Sequence, residues 1–285
     1  MPKFAKVLLN LIVVAAIAVG AYSLFIYRYE IQDWWVLREY TAPTQIADLA
    51  TQAAFTEEGR RIFYRAQPEI TPDRSQLAQR CRIDDATTIE LGCYLSSNKI
   101  YLLDIQQPEL ASEMPVTAAH EMLHAAYDRL SPTEREDINS ELERFYTTIT
   151  DAKLKERLAV YAKLDAGDQL NELHSILATE RGVLSPKLER YYSQYFTDRQ
   201  VVVAANLKFN QTFDGLRAEI DQLDTEIKAI KARMNAQLAR GQVSSYNAQV
   251  PVVNAKINEY NDKVDRYNTY ASALLGREKV APASQ

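Results

Sequence analysis

The sequence predicts a mainly α-helical protein with a small β-hairpin or sheet and a C-terminal antiparallel coiled-coil hairpin. Three observations support that class. Apolar residues recur at helical spacing through most of residues 55–200, a β-branched and aromatic block interrupts them once, and heptad spacing sets in after residue 201. A chain of 285 residues has room for one well-buried domain with accessory segments. The expected division is an N-terminal transmembrane anchor (1–28), a juxtamembrane linker or helix (29–54), a globular domain (55–200), a helical hairpin (201–275) and a disordered tail (276–285).

From Val7 to Tyr27 no side chain is charged, and 21 residues of helix at about 1.5 Å each match the hydrocarbon thickness of a bilayer. A cleaved signal peptide would share the basic start (Lys3, Lys6) and the small residues Ala18-Val19-Gly20. The apolar run continues through Leu24, Phe25 and Ile26, and Trp34 and Trp35 follow where an interfacial belt is expected, which favours an uncleaved single-pass anchor. Lys3 and Lys6 favour a cytoplasmic N-terminus, although Arg28 and Arg38 weaken the bias, so the rest of the chain is expected on the extracytoplasmic side. Cys81 and Cys93, the only cysteines, suit a disulfide in such a compartment, where closing the loop is worth about 3 kcal/mol, with a free buried pair as the alternative.

Behind the anchor, Ile46–Ala54 and Thr56–Ala66 have helical spacing, the second with Thr56 as N-cap and acidic residues in its first turn. Pro68, Pro72 and Asp73 break the pattern. Glu90–Leu95 and Lys99–Asp104 form the expected hairpin about a Ser96-Ser97-Asn98 turn, with Ile100–Leu103 as a possible edge strand. Helical spacing returns at Pro115, and Ser131-Pro132 starts another helix reaching about Ile149. Leu154–Leu164, Asp168–Arg181 and Ser185–Tyr195 continue as helices.

In the last third, Phe209, Phe213, Leu216, Ile220, Leu223, Ile227, Ile230 and Met234 alternate by fours and threes. A second seam runs from Tyr246 through Val253, Ile257, Tyr260 and Val264 to Leu274, beyond the break at Arg240-Gly241-Gln242. Because proline cannot sit deep inside a regular helix, Pro251 requires either a bend or a helix that begins near Val250, and the later start is preferred.

A formal charge of -5 offers no broad cationic surface for phosphates, so nucleic acid is not an expected partner. The chemistry concentrates elsewhere. Of three histidines, two lie in His120-Glu121-Met122-Leu123-His124, where a spacing of four stacks both imidazoles on one helical face. Two Zn2+ ligands are thereby placed, with the Glu121 carboxylate beside them to take a proton from an attacking water. A catalytic zinc needs a third protein ligand. Asn171-Glu172-Leu173-His174-Ser175 offers two on opposite helical faces, Glu172 with polar neighbours and His174 with Leu170 and Leu177, so only one of them can face the metal. Glu172 is preferred, with His174 and then Glu180 as alternatives. An oxyanion donor is also expected, and Tyr127, Tyr191, Tyr192, Tyr195 and His174 are not distinguished by sequence.

HEMLH followed by a helix with an Asn-Glu pair resembles the gluzincin metallopeptidases, the group that includes thermolysin. The resemblance covers residues 55–200 at most and rests on about ten residues. It implies an α+β metallopeptidase domain with a Zn2+ cofactor, His120 and His124 as ligands, Glu121 as general base, Glu172 as third ligand and Ser175 at a small position. Where many of these enzymes hold an aspartate that orients a ligand histidine, this chain has Ile176, so that support must come from another residue, with Glu180 a candidate. The gap from His124 to Glu172 is also longer than in thermolysin. The expectation is a membrane-anchored peptidase acting on a protein or peptide substrate, with the coiled-coil arm holding substrate or a protein partner. An amidase acting on cell-wall peptide would use the same groups. The rival is an envelope scaffold whose coiled coil is the working part and whose metal site is structural or inactive. Glu121 favours the enzyme, because a structural site has no use for a carboxylate there.

Overall fold

The computed structural model describes residues 3–81 and 91–274. The predicted strand start at Glu90 and the tail at 276–285 lie outside those residues. The protein is mainly helical with one small mixed sheet.

Helix α1 (Lys3–Ile26) is exposed along its described apolar length and runs into α2 (Arg28–Leu37). Among the described residues, no single helix is long and apolar enough to cross a membrane; the bent pair Asn10–Ile26 with Arg28–Leu37, 60° apart, passes by length and composition. The stretch expected as a juxtamembrane linker or helix is helical and packs on the rest of the chain. Asp33 of α2 is buried and gripped by the Arg129 guanidinium through two bonds of 2.7 and 2.9 Å, with Arg61 at 2.9 Å and Arg65 at 3.5 Å. Helix α3 (Thr44–Gln52) places Ile46, Leu49 and Ala50 in the main core.

Helix α4 (Glu57–Arg65) starts as expected, with Thr56 Oγ1 accepting from the Gly59 amide at 3.1 Å. Between Pro68 and Pro72 lies a strand that local pattern does not reveal, β1 (Glu69–Thr71), followed by α5 (Arg74–Cys81). The hairpin consists of β2 (Gly92–Leu95) and β3 (Lys99–Leu103), with Asn98 in the left-handed region at φ 58° in the turn. Strand β3 is central rather than an edge: it pairs antiparallel with β2 and parallel with β1, in the order β1-β3-β2. Its alternation explains the position, since Ile100 and Leu102 enter the main core while Tyr101 and Leu103 enter a second one. Cys81 and Cys93 are disulfide-bonded, with Cα atoms 5.9 Å apart, and tie α5 to β2.

Helix α6 (Glu113–Asp128) is buried on nearly every side, against β2, α3, α4 and α9 (Ala166–Glu180). Gly92 permits its approach to the sheet: a Cβ there would meet Thr117 Cγ2 at 2.7 Å and the Tyr101 carbonyl at 2.9 Å. Helix α7 (Pro132–Thr148) opens with a Ser131/Glu134 capping box and Pro132 in its first turn. Helix α8 (Ala152–Val160) is followed by a 3-10 turn (Tyr161–Lys163) and then by α9. Helix α10 (Pro186–Tyr192) is capped by Ser185.

The last third forms two antiparallel helices of the same chain, α11 (Arg199–Ala239) and α12 (Val243–Leu274), connected through Gly241 at φ 70°. Leu216, Ile220, Leu223 and Ile227 share one core with Ile257, Tyr260 and Val264, and Lys263–Glu219 (2.7 Å) and Lys256–Glu226 (2.5 Å) pair across its rim. Helix α12 begins at Val243, not near Val250, and Pro251 lies inside it. Its ring sits on the exposed face, and Tyr246 and Val250 pack toward α11, so burial of that first stretch offsets the hydrogen bond Pro251 cannot donate. The same core takes in Leu77, Tyr101, Leu103 and Leu110, which makes the sheet the base on which the two helices stand.

Candidate metal centre

The site lies where α6 faces α9. On α6, His120 and His124 are one turn apart, with ring centroids 4.7 Å from each other. On α9, Glu172 points at both: Oε2 is 3.5 Å from His120 Nε2 and Oε1 is 3.5 Å from His124 Nε2. One donor atom from each of the three residues can be chosen so that all lie within 4.8 Å of one another, and these residues form the only cluster of this kind among the described ones. All three side chains remain partly open, 21, 11 and 20 % exposed for His120, His124 and Glu172.

The roll of α9 decides which of its residues faces His120 and His124. Leu173, Ile176 and Leu177 are its core face. His174 turns away into a closed aromatic cage formed by Tyr127, Tyr191 and Tyr192, is fully buried, and shares a 3.0 Å hydrogen bond between Nε2 and the Tyr191 hydroxyl. The Tyr192 hydroxyl donates to the His174 carbonyl at 2.8 Å. At the C-terminal end of α9 the buried Arg199 guanidinium donates to the carbonyls of Ala178 and Arg181 (2.9 and 2.6 Å) and pairs with Glu189 at 2.5 Å. Those are the carbonyls a helix leaves without partners. Glu180 is outside the three-residue cluster, and Tyr127, Tyr191, Tyr192 and Tyr195 are buried in the interior with His174.

Asn171 is the residue sequence reasoning did not single out. Its Oδ1 lies 3.0 Å from His124 Nδ1. A carbonyl oxygen only accepts, so Nδ1 carries the proton and the lone pair of Nε2 faces Glu172. The signal was present, since Asn171 precedes Glu172, but its partner is 47 residues away. Asn171 thus orients the His124 ring.

Protonation equilibria fit a cation site. Burial, with the neighbouring His120, lowers His124 from 6.5 to about 4, leaving it neutral at pH 7. Burial also opposes charge on His120, but the facing Glu172 with Glu121 and Glu113 outweighs it and the value is raised. For Glu172 burial pushes upward, and the imidazoles overcome it to lower the carboxyl. Glu172 Oε2 is shut off from solvent without a hydrogen bond. The two 3.5 Å separations run from different Glu172 oxygens, Oε2 to His120 and Oε1 to His124, and with one donor atom taken from each residue the three lie within 4.8 Å of one another, a spacing that a small cation can draw together. The residues present therefore fit a His2Glu metal set. Glu121 is buried, next to His120 in sequence and near enough for its charge to act on that imidazole.

No protein-family model, no curated protein and no solved structure matches this chain.

Proposed function

We propose that the chain is a membrane-anchored zinc-dependent peptidase. The observation that carries the reading is the convergence of two imidazole Nε2 atoms and one carboxylate, with a further buried carboxylate at Glu121. Two histidines and a glutamate are a donor set of catalytic zinc, which leaves a fourth position open. The partial exposure of all three ligands supports access by substrate.

His120, His124 and Glu172 would hold the ion, and Asn171 fixes the tautomer and orientation of His124. A zinc ion bound there would polarise a substrate carbonyl and lower the pKa of water to near neutrality. Glu121 accepts the proton of the attacking water and delivers it to the leaving amine. The antiparallel pair of α11 and α12, read as a coiled-coil arm, supplies a surface for substrate or partner. The exposed α1, continuous with α2, supports attachment to a bilayer, with the metal-bearing domain on the extracytoplasmic side, where the Cys81–Cys93 bond is stable.

Replacing Glu121 with glutamine tests the reading, because the amide is nearly isosteric yet cannot take the proton. Extracytoplasmic proteins compared between cells carrying wild-type and Glu121→Gln chains should include some that accumulate uncut only in the variant. Identical cleavage patterns in the two would exclude Glu121 as the base.

A further inference from the structure

We infer that the outer face of α2 rests in the headgroup region of a lipid bilayer, holding the metal-bearing helix close to the membrane surface. The face is defined by periodicity. Tyr27, Ile31, Trp34, Trp35 and Arg38 recur at intervals of four, three, one and three residues and are all exposed, the tryptophans by 59 and 55 %. Tyr29, Asp33, Val36 and Leu37 form the opposite, inward face.

The composition of the outer face is that of an interfacial helix. Indole rings prefer the boundary between hydrocarbon and water, and the Arg38 guanidinium, paired with the exposed Glu39 at 2.8 Å, stacks over Trp35 at 4.1 Å and Trp34 at 5.3 Å, which sets a polar charged group beside the rings at headgroup depth. Continuity selects lipid over another protein, because the face follows directly on the exposed apolar α1. With α1 along the membrane normal, the 60° bend leaves α2 within about 30° of the membrane plane, and an ordinary helix tilt of about 20° can bring it flatter.

The inward face sets the height of the site. Asp33 is held by Arg129, the residue that ends α6, and the Tyr29 hydroxyl donates to the Asp128 carbonyl at 3.2 Å. At about 1.5 Å per residue, His124 and His120 lie roughly 8 and 14 Å along the helix from that contact. On the peptidase reading, substrates are then polypeptide segments that lie near the membrane surface.

Trp34 and Trp35 are the only tryptophans of the chain, so its indole fluorescence reports on α2 alone. The full chain is reconstituted into phosphatidylcholine vesicles whose acyl chains carry bromine either near the headgroup or near the chain end. Expected are emission shifted to the blue, several-fold stronger quenching by the shallow bromine than by the deep one, and weak quenching by aqueous iodide. Vesicle-bound protein quenched by iodide but not by bromolipid overturns the inference, as does protein shielded from both, which would mean that another protein covers the face. Zinc measured on the same sample separates the two readings: lipid quenching without zinc sustains the interface and removes the metallopeptidase, whereas zinc without lipid quenching removes the interface alone.

Discussion

Asn171 Oδ1 and His124 Nδ1 lie 3.0 Å apart, so Asn171 decides which nitrogen of His124 faces Glu172. Replacing Asn171 with alanine should weaken metal binding by about 10–100-fold while leaving the fold intact, as removal of such a support does in other sites. Competition with a chelator of known affinity measures it. Wild-type affinity in Asn171→Ala would show that the hydrogen bond contributes nothing.

Glu172 and His174 are two residues apart and have opposite fates. Glu172→Ala should abolish stoichiometric metal binding. His174→Ala should keep the metal but lose about 2–4 kcal/mol of stability, because it empties an aromatic cage and removes the shorter of the two hydrogen bonds of the Tyr191 hydroxyl. Metal content and urea unfolding of both variants decide this, and metal loss in His174→Ala with a native fold would reverse the assignment.

Much of this site is legible in the sequence because it is local. A spacing of four puts His120 and His124 together on any helix, and the Asn-Glu pair marked α9 as the partner. The choice between Glu172 and His174 depends on the roll of α9, which Tyr191, Tyr192 and Arg199 set through contacts that no local pattern encodes. The same limit hid β1, three residues between prolines that become a strand only by parallel pairing with β3 about thirty residues on. It also hid Asp33, an acid in an apolar neighbourhood whose arginines come from α4 and the end of α6. For Pro251 a local rule was overridden by packing against α11.

Acid should destabilise the metal-free protein through two histidines. His124, lowered to about 4, and His174, well below its ordinary 6.5, both bind protons more weakly folded than unfolded. Their contribution to stability is complete above about 6.5 and falls as pH drops below it, at a slope approaching about 1.4 kcal/mol per pH unit for each proton. His120, raised, acts in the opposite sense: its contribution is present at low pH and fades as pH rises through its folded value. His174→Phe removes one of the two destabilising protons without titrating the metal cluster. Urea midpoints measured between pH 6.5 and 4.5 should therefore fall less steeply in that variant, and equal slopes would mean that His174 is not held neutral.

Breaking the bond between Cys81 and Cys93 should cost about 2–4 kcal/mol, since it releases a short loop and unties α5 from β2. Reductant titrations followed by unfolding, with Cys81→Ser/Cys93→Ser as the reduced reference, measure the loss. Equal stability of oxidised and reduced chains would contradict this.

The central claim, a bound catalytic zinc, is tested most directly by metal analysis of the purified full-length chain in detergent without chelators. The account predicts about one zinc per chain in the wild type, retained in Glu121→Gln and lost in His120→Ala and His124→Ala. A wild-type chain that folds yet holds no zinc, even after incubation with it, would contradict the account at its root.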